Sequence, residues 1–185
     1  MSKTIALIGS GNVFFKDEGI GLYGVKYLKE NYTFTPNVEI VDGGTLGFKL
    51  MPLLQEFDEV IIINTSSDET QTPCDITVKT TDEFLDGALV KKTANEVEIA
   101  EMLQICSMSE HVANTTVISI VPKDIISVEV ELSDEIKNVW EDYIATTIKV
   151  LNDLGVSLKK NSKELSLNEI LNIFANPSIE HNRGF

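Results

Sequence analysis

Ile5-Ala6-Leu7-Ile8, followed at once by Gly9-Ser10-Gly11-Asn12, is the stretch that decides the fold class of this chain. An unbroken apolar run that ends in a glycine-rich turn is typical of a buried strand. Lys16-Asp17-Glu18-Gly19 follows at the predicted start of a helix. Ligands of open α/β sheets bind outside the carboxyl ends of the strands, so Glu18 is a candidate site residue.

Strand and helix signals alternate from there to about residue 154. Strands are expected at 3–8, 38–41, 60–63, 76–80 and 117–121, and helices at 21–29, 48–55, 96–105 and 134–154. The β-branched run 60–63 predicts a central strand buried on both faces, and the alternating run 76–80 predicts an edge strand. This order predicts an α/β fold, a three-layer αβα sandwich around a mostly parallel, twisted sheet of roughly five strands.

We expect a single α/β domain over residues 1–155 and a C-terminal extension over 156–185. The extension contains one short amphipathic helix, which a capping box of Ser166 and Glu169 begins and Pro177 follows. Amphipathic faces usually bury on their own protein, so this helix is expected to dock on the domain; the alternative is that it binds a partner.

The charge of the chain excludes some partners. It carries 29 acidic against 15 basic residues, a formal net charge of -14, whereas binding to nucleic acid needs the opposite sign. No apolar run approaches the roughly 20 residues that span a bilayer, so membrane insertion is not expected. The N-terminus lacks the pattern of a secretory signal, which predicts a cytoplasmic protein.

Cysteine and histidine offer little for a metal site. Cys74 and Cys106 form no CxxC pair, and Cys106 fits a small buried apolar residue. His111 falls in a turn before a strand, at the predicted opposite end of the sheet from Glu18, and His181 lies in the tail. A lone histidine in a turn is usually a surface residue, although a tail that folds back could carry His181 to the site.

A dinucleotide site is disfavoured by the residues after the first turn. Gly9-Ser10-Gly11 opens a GxGxxG pattern, but Phe14 stands where the third glycine belongs. Its bulk would keep the helix away from a pyrophosphate. No GxSxG sequence occurs, so a serine nucleophile of the α/β-hydrolase kind is not indicated.

Two glycine-rich motifs, one after each of the first two predicted strands, resemble those of a known protein family. Ile8-Gly9-Ser10-Gly11-Asn12 through Asp17-Glu18-Gly19-Ile20-Gly21, and then Val38 through Asp42-Gly43-Gly44-Thr45-Leu46-Gly47, are similar to the hydrogenase maturation proteases. The resemblance extends over residues 3–155. It implies a phosphorylase/hydrolase-like sandwich and a cytoplasmic endopeptidase that trims a C-terminal extension from the large subunit of nickel-iron hydrogenases.

The resemblance also implies a metal-binding cluster at the carboxyl edge of the sheet. Glu18 matches the first ligand of the family, whereas Asn64 and Asn95 fall where family members have Asp and His. A neutral amide oxygen is a poor ligand for nickel or zinc and suits hard cations among many oxygens. No resident cofactor is therefore predicted, although nickel or another divalent metal could arrive with the substrate.

The second motif supplies the remaining candidates. Asp42 matches an acid near the family's site and is a tentative catalytic residue; equally, it could hold the turn by accepting backbone N–H groups. Gly43, Gly44, Thr45 and Gly47 would let the backbone approach a docked peptide, which makes them candidates for a substrate groove.

The resemblance implies a protein that recognises the C-terminal region of a nickel-iron hydrogenase large-subunit precursor during maturation, and the amides at positions 64 and 95 put metal-dependent cleavage in doubt. They leave its activity open between a fully active endopeptidase and a non-catalytic chaperone or binding module. An unrelated hydrolase that pairs Glu18 with Asp42 or Asp17 is a third alternative.

Overall fold

The computed structural model describes residues 3–68, 70–86 and 93–177. The strands in this part of the chain are β1 (Ile5–Ser10), β2 (Tyr32–Thr35), β3 (Glu39–Gly44), β4 (Glu59–Thr65), β5 (Ile76–Thr80), β6 (Asn114–Ile120) and β7 (Ser157–Lys160). The α-helices are α1 (Ile20–Asn31), α2 (Met51–Glu56), α3 (Thr81–Asp86), α4 (Ala94–Cys106), α5 (Asp134–Asn138), α6 (Trp140–Asp153) and α7 (Leu167–Ala175), and 3-10 helices span Lys16–Gly19 and Gly47–Leu50.

Five of the strands form the main sheet, in the order β3-β1-β4-β6-β5. The first four are parallel, and β5 runs antiparallel to β6 at the edge. Every residue of β4 is buried. The predicted α/β class, the mostly parallel sheet of five strands, the central position of 60–63 and the edge position of 76–80 are confirmed.

Helices cover both faces of this sheet. Alternate residues of β1 point to opposite sides: Ile5 and Leu7 join one apolar cluster, and Ala6 and Ile8 join another. The first cluster takes its helical residues from α1, α5, α6 and α7, and the second from α2, α3 and α4. This arrangement is the predicted three-layer sandwich.

Three features of the fold differ from the prediction, and the first is the short helix α3, which was not expected. The strands β2 and β7 pair antiparallel in a separate ribbon, with Tyr32 opposite Lys160, and neither strand was expected. The helix expected at 134–154 is two helices, because Val139 has φ -108 and ψ 8, outside the helical region. Pairing across more than 120 residues leaves no local pattern, which is why the ribbon was missed.

The helix of the C-terminal extension docks on the first cluster, as expected. Ser166 and Glu169 form both hydrogen bonds of the capping box at the start of α7. Ile170 is fully buried, and the ring of Phe174 meets that of Tyr23 edge-on with centroids 5.1 Å apart. Within the described ranges, no helix is long and apolar enough to cross a membrane.

We expect Gly21→Ala to destabilise the protein strongly. A Cβ atom at Gly21 would lie 2.3 Å from the carbonyl oxygen of Ile63 and 2.4 Å from that of Ser10, and backbone atoms cannot move aside easily. The free energy of unfolding, measured by urea titration, should fall by about 3 kcal/mol. Lys29→Ala, at an exposed position of the same helix, should change it by less than about 0.5 kcal/mol. Equal effects of the two variants would contradict this account of the contact.

Candidate functional site

The candidate site lies where the carboxyl ends of β1 and β4 meet the first turn of α4. Gly11 makes the turn after β1 with φ +150, and a Cβ atom there would lie 1.9 Å from the carbonyl oxygen of Glu18. The N–H of Asn12 donates to that same oxygen at 3.2 Å. A glycine at position 11 therefore lets the 3-10 helix Lys16–Gly19 fold back over the end of β1, which places Glu18 at this edge.

A cavity of about 320 Å³ opens beside Glu18. Its lining comes from the 3-10 helix and its approach, the loop after β3, the start of α4 and one residue of a later loop: Asn12, Phe15, Glu18, Thr45, Thr93, Ala94, Asn95, Glu98 and Ile125. The structure thus brings together three of the predicted site residues, Glu18, Thr45 and Asn95.

The carboxyl group of Glu18 is half-buried. Burial raises the pKa of Glu18 above its ordinary value, and the nearby negative charge of Glu96 raises it further. The protonated form is therefore favoured more than in a carboxyl group exposed to water.

The two asparagines are buried amides that bond to serines. Asn95 is 6% exposed, and its Oδ1 accepts a hydrogen bond of 2.6 Å from Ser10 Oγ. Asn64 is fully buried, and its Oδ1 accepts a hydrogen bond of 2.6 Å from Ser119 Oγ. The Nδ2 atom of each amide has no hydrogen-bond partner. Unpaired buried donors are uncommon, so both positions carry a cost in stability.

The buried amides and serines lie on one face of the sheet. Asn64 pairs with Ser119 across β4 and β6, and Ser10 ends the neighbouring strand β1. Two residues earlier, each of these strands contributes to the apolar cluster that includes α4: Ile8, Ile62 and Val117. Because side chains alternate along a strand, Ser10, Asn64 and Ser119 lie on the same face as these apolar residues. We use the name polar row for these three residues together with Asn95.

Glu96 is a buried carboxylate that the sequence reasoning missed. It accepts hydrogen bonds from the N–H of Ser67 at 3.0 Å, from Ser67 Oγ, and from Thr93 Oγ1 at 3.1 Å. Thr93 Oγ1 also accepts from the N–H of Glu96, at 3.2 Å, and caps α4. The Thr-x-x-Glu spacing of a capping box was the signal that could have identified this pair. Glu96 holds the segment after β4 against α4.

The residues at the three predicted ligand positions do not fit a nickel or zinc ion. Glu18 is the one ionisable group among them, and the oxygens of Asn64 and Asn95 already accept hydrogen bonds from serines. Across residues 3–68, 70–86 and 93–177, no group of three or more His, Cys, Asp or Glu side chains could hold a metal ion. We therefore derive no chemistry from a resident ion.

Histidine does not complete the site within the described residues. His111 precedes β6 and lies near Asp58, which precedes β4, so it is at the amino edge of the sheet, as predicted. His181 falls outside the residues that the structure describes.

Asp42 lines a different cavity from Glu18. That cavity, of about 360 Å³, lies between β3, α1 and α7, and its lining includes Lys26, Lys29 and Phe174. The catalytic role of Asp42 stays a prediction, and its position separates it from the Glu18 cavity.

The predicted groove glycines serve close packing. A Cβ atom at Gly43 would lie 2.8 Å from the carbonyl oxygen of Gly9, and one at Gly47 would lie 2.7 Å from Glu98 Cβ. Gly44 adopts a φ of +49. The glycines thus bring the loop with Thr45 close to β1 and α4, while their contact with a substrate stays a prediction.

A model of the hydrogenase maturation protease family, HycI, matches residues 22–150. The chain belongs to the hydrogenase maturation protease family. The predicted resemblance is confirmed.

Known members of the family match most of the chain. The hydrogenase expression/formation protein HupD of Rhizobium leguminosarum bv. viciae is 28% identical over 156 residues, which cover 83% of this chain and 77% of that protein. The hydrogenase 2 maturation protease of Escherichia coli K12 is 24% identical, with 82% and 93% covered. The solved structure of the hydrogenase maturating endopeptidase HybD from E. coli has the same fold, with a TM-score of 0.80, 22% identity, and 86% and 98% covered.

Glu18→Gln should stabilise the protein near neutral pH. Because the pKa of Glu18 is raised in the folded state, folding favours its protonated form, and that advantage is present below the ordinary pKa and lost as pH rises through the raised pKa. Gln cannot ionise, so the variant should have the higher melting temperature at pH 7, and the difference should vanish below about pH 4. The comparison needs thermal unfolding from pH 4 to pH 8.

Glu101→Gln is the matched control for this measurement, because Glu101 is exposed on α4. It should leave the melting temperature close to that of the wild type at every pH. A Glu18→Gln protein less stable than the wild type at pH 7 would contradict the assignment of a raised pKa.

Proposed function

We propose that this protein binds the C-terminal region of a nickel-iron hydrogenase large-subunit precursor in the cytoplasm, during maturation, and that it does so without metal-dependent cleavage. Family membership supports the precursor as partner. The polar row is the observation that supports the absence of metal-dependent cleavage. Its buried neutral amides, each hydrogen-bonded to a serine, occupy two of the three predicted ligand positions.

The surface around the cavity suits a polypeptide partner. Phe15 and Ile125 line the cavity, and Phe14, which precedes Phe15 in sequence, is 62% exposed. On the other side, Leu46 and Phe48 are exposed next to Thr45. Large apolar side chains that remain exposed around a cavity are typical of binding surfaces.

The charges of the cavity favour a positively charged group in the partner. Glu18 and Glu98 line it, and Glu96 lies close enough to raise the pKa of Glu18. A nickel ion carried by the precursor is such a group, and it would be cargo rather than a resident ion. The protein would then distinguish a nickel-loaded precursor from an empty one by electrostatic attraction, without supplying a full set of ligands to the nickel ion.

One observation favours the alternative of an active endopeptidase. A half-buried carboxyl group with a raised pKa, next to a cavity, has the properties of a general acid or base, and Glu18 meets that description. In this alternative Glu18 acts on the scissile peptide directly, and the amides are tolerated.

The two alternatives differ in what the wild-type protein does to an intact precursor. We expect the wild type to bind a large-subunit precursor that retains its C-terminal extension and to leave its mass unchanged. Glu18→Ala should weaken this binding. Isothermal titration calorimetry should show no tight binding of Ni²⁺ or Zn²⁺ by the wild type. The double variant Asn64→Asp with Asn95→His should bind these ions about 10- to 100-fold more tightly, because it introduces a carboxylate and an imidazole at the two ligand positions.

A double variant with the same two changes elsewhere is the control. Asn114→Asp with Asn152→His places an aspartate and a histidine at exposed positions away from the cavity and should not raise the metal affinity. Shortening of the precursor by the wild type, abolished in Glu18→Ala, would establish the endopeptidase instead. Failure of the wild type to bind the precursor would refute the proposed partner.

A further inference from the structure

Asp17, the neighbour of Glu18, is a buried carboxylate that has no part in the function described above. It is fully buried. Its Oδ2 accepts hydrogen bonds from the N–H of Lys123 at 3.0 Å, the N–H of Asp124 at 2.8 Å and the Oγ of Ser133 at 2.8 Å. Its Oδ1 accepts from the N–H of Ser133 at 2.6 Å. All four donors belong to one segment, residues 123–133.

This segment forms no helix or strand of its own. Asp124 closes a turn within it by accepting from the N–H groups of Ile126 and Ser127, each at 3.0 Å, and further hydrogen bonds join the segment to the residues around Asp17. The N–H of Asp17 donates to the carbonyl oxygen of Asp124, and the N–H of Lys16 donates to that of Glu129, each at 3.0 Å. Lys16 Nζ adds an ion pair of 3.4 Å with Glu129. The buried carboxylate supplies acceptors at both ends of the segment.

Ser133 shows that the contact with Asp17 replaces a local one. It stands at the N-cap position of α5 with φ -63 and ψ 154, where a serine usually accepts a hydrogen bond from the helix. No such bond forms, and the Oγ of Ser133 donates to Asp17. The serine thus joins α5 to the 3-10 helix that carries Glu18.

The segment forms part of the candidate site. Ile125 lines the cavity beside Glu18, and the next apolar side chains, Ile126 and Val128, are 85% and 77% exposed. The N–H of Glu129 donates to the carbonyl oxygen of Phe14 at 3.0 Å, which joins the backbone of the segment to that of Phe14. One residue of the cavity lining, and the exposed apolar side chains that follow it in sequence, therefore belong to the segment that Asp17 holds.

We propose that Asp17 is a positioning residue, whose buried carboxylate clamps residues 123–133 to the 3-10 helix of Glu18 and so shapes the surface that receives the partner. The role in partner binding rests on the proposed function, whereas the clamp itself does not. Asp17 makes no contact with the partner in this account and acts through the segment.

Asp17→Asn tests the clamp. An amide of the same shape turns one acceptor oxygen into a donor that faces other donors. Hydrogen exchange at the amides of Lys123, Asp124 and Ser133 should become at least about tenfold faster, while exchange in β4 and β6 keeps its wild-type pattern. Affinity for the large-subunit precursor should fall by about tenfold or more. Ser133→Ala removes one of the four hydrogen bonds and should give an intermediate effect.

Leu54→Ala separates positioning from general stability. Leu54 is fully buried in the cluster on the other face of the sheet, so its truncation lowers stability without touching the segment. It should leave exchange at residues 123–133, relative to exchange in the core, at its wild-type value. Unchanged exchange in Asp17→Asn, or acceleration spread evenly over the protein, would overturn the clamp. Faster exchange at residues 123–133 in Asp17→Asn with no loss of affinity for the precursor would overturn the role of the clamp in binding. A wild-type protein that binds no precursor would refute the proposed function, and the exchange rates would still test the clamp by themselves.

Discussion

The close approach of the end of β1 to the helices that follow it is the constraint on which the rest of the structure depends. It needs bare backbone on both sides: a Cβ atom at Gly9 would lie 2.3 Å from the carbonyl oxygen of Gly21, and one at Gly11 would lie 1.9 Å from that of Glu18. With this contact made, α1 packs across β1 and β4, and the 3-10 helix before it folds back over the edge of the sheet. The position of Glu18 is therefore a consequence of backbone packing and does not need a metal ion.

The polar row gives a physical reason for amides at positions 64 and 95. Glu18 and Glu96 already place two carboxyl groups near the start of α4, and their repulsion contributes to the raised pKa of Glu18. A third carboxylate at position 64, fully buried, would need a cation to offset its charge. An amide accepts the same hydrogen bond from Ser119 with no charge. Amides at these two positions let the sheet edge fold without an ion, and their oxygens are poor ligands for a transition metal.

Much of the fold was predictable from local pattern, because apolar runs and glycine turns act over a few residues. The run Val60–Ile63 identified the central strand, and the capping box at Ser166 identified α7. The site was predictable in part: the turn after the first strand indicated Glu18, the resemblance to the family indicated Asn95, and both line one cavity. The hydrogen bonds that Asp17 accepts from residues 123–133, and that Glu96 accepts from Ser67, were not predictable, since these donors lie 29 or more residues away in sequence and follow no periodic pattern.

The unpaired amide nitrogens of Asn64 and Asn95 bear on whether the site still has a function. A buried donor without a partner costs about 1–3 kcal/mol, and an apolar side chain of similar volume would avoid that cost. Two positions earlier on the same face, Ile8, Ile62 and Val117 are apolar and carry no such cost. Polar groups that persist against a stability cost are characteristic of functional sites. The unpaired donors of the polar row therefore support the proposal that this sheet edge binds a partner.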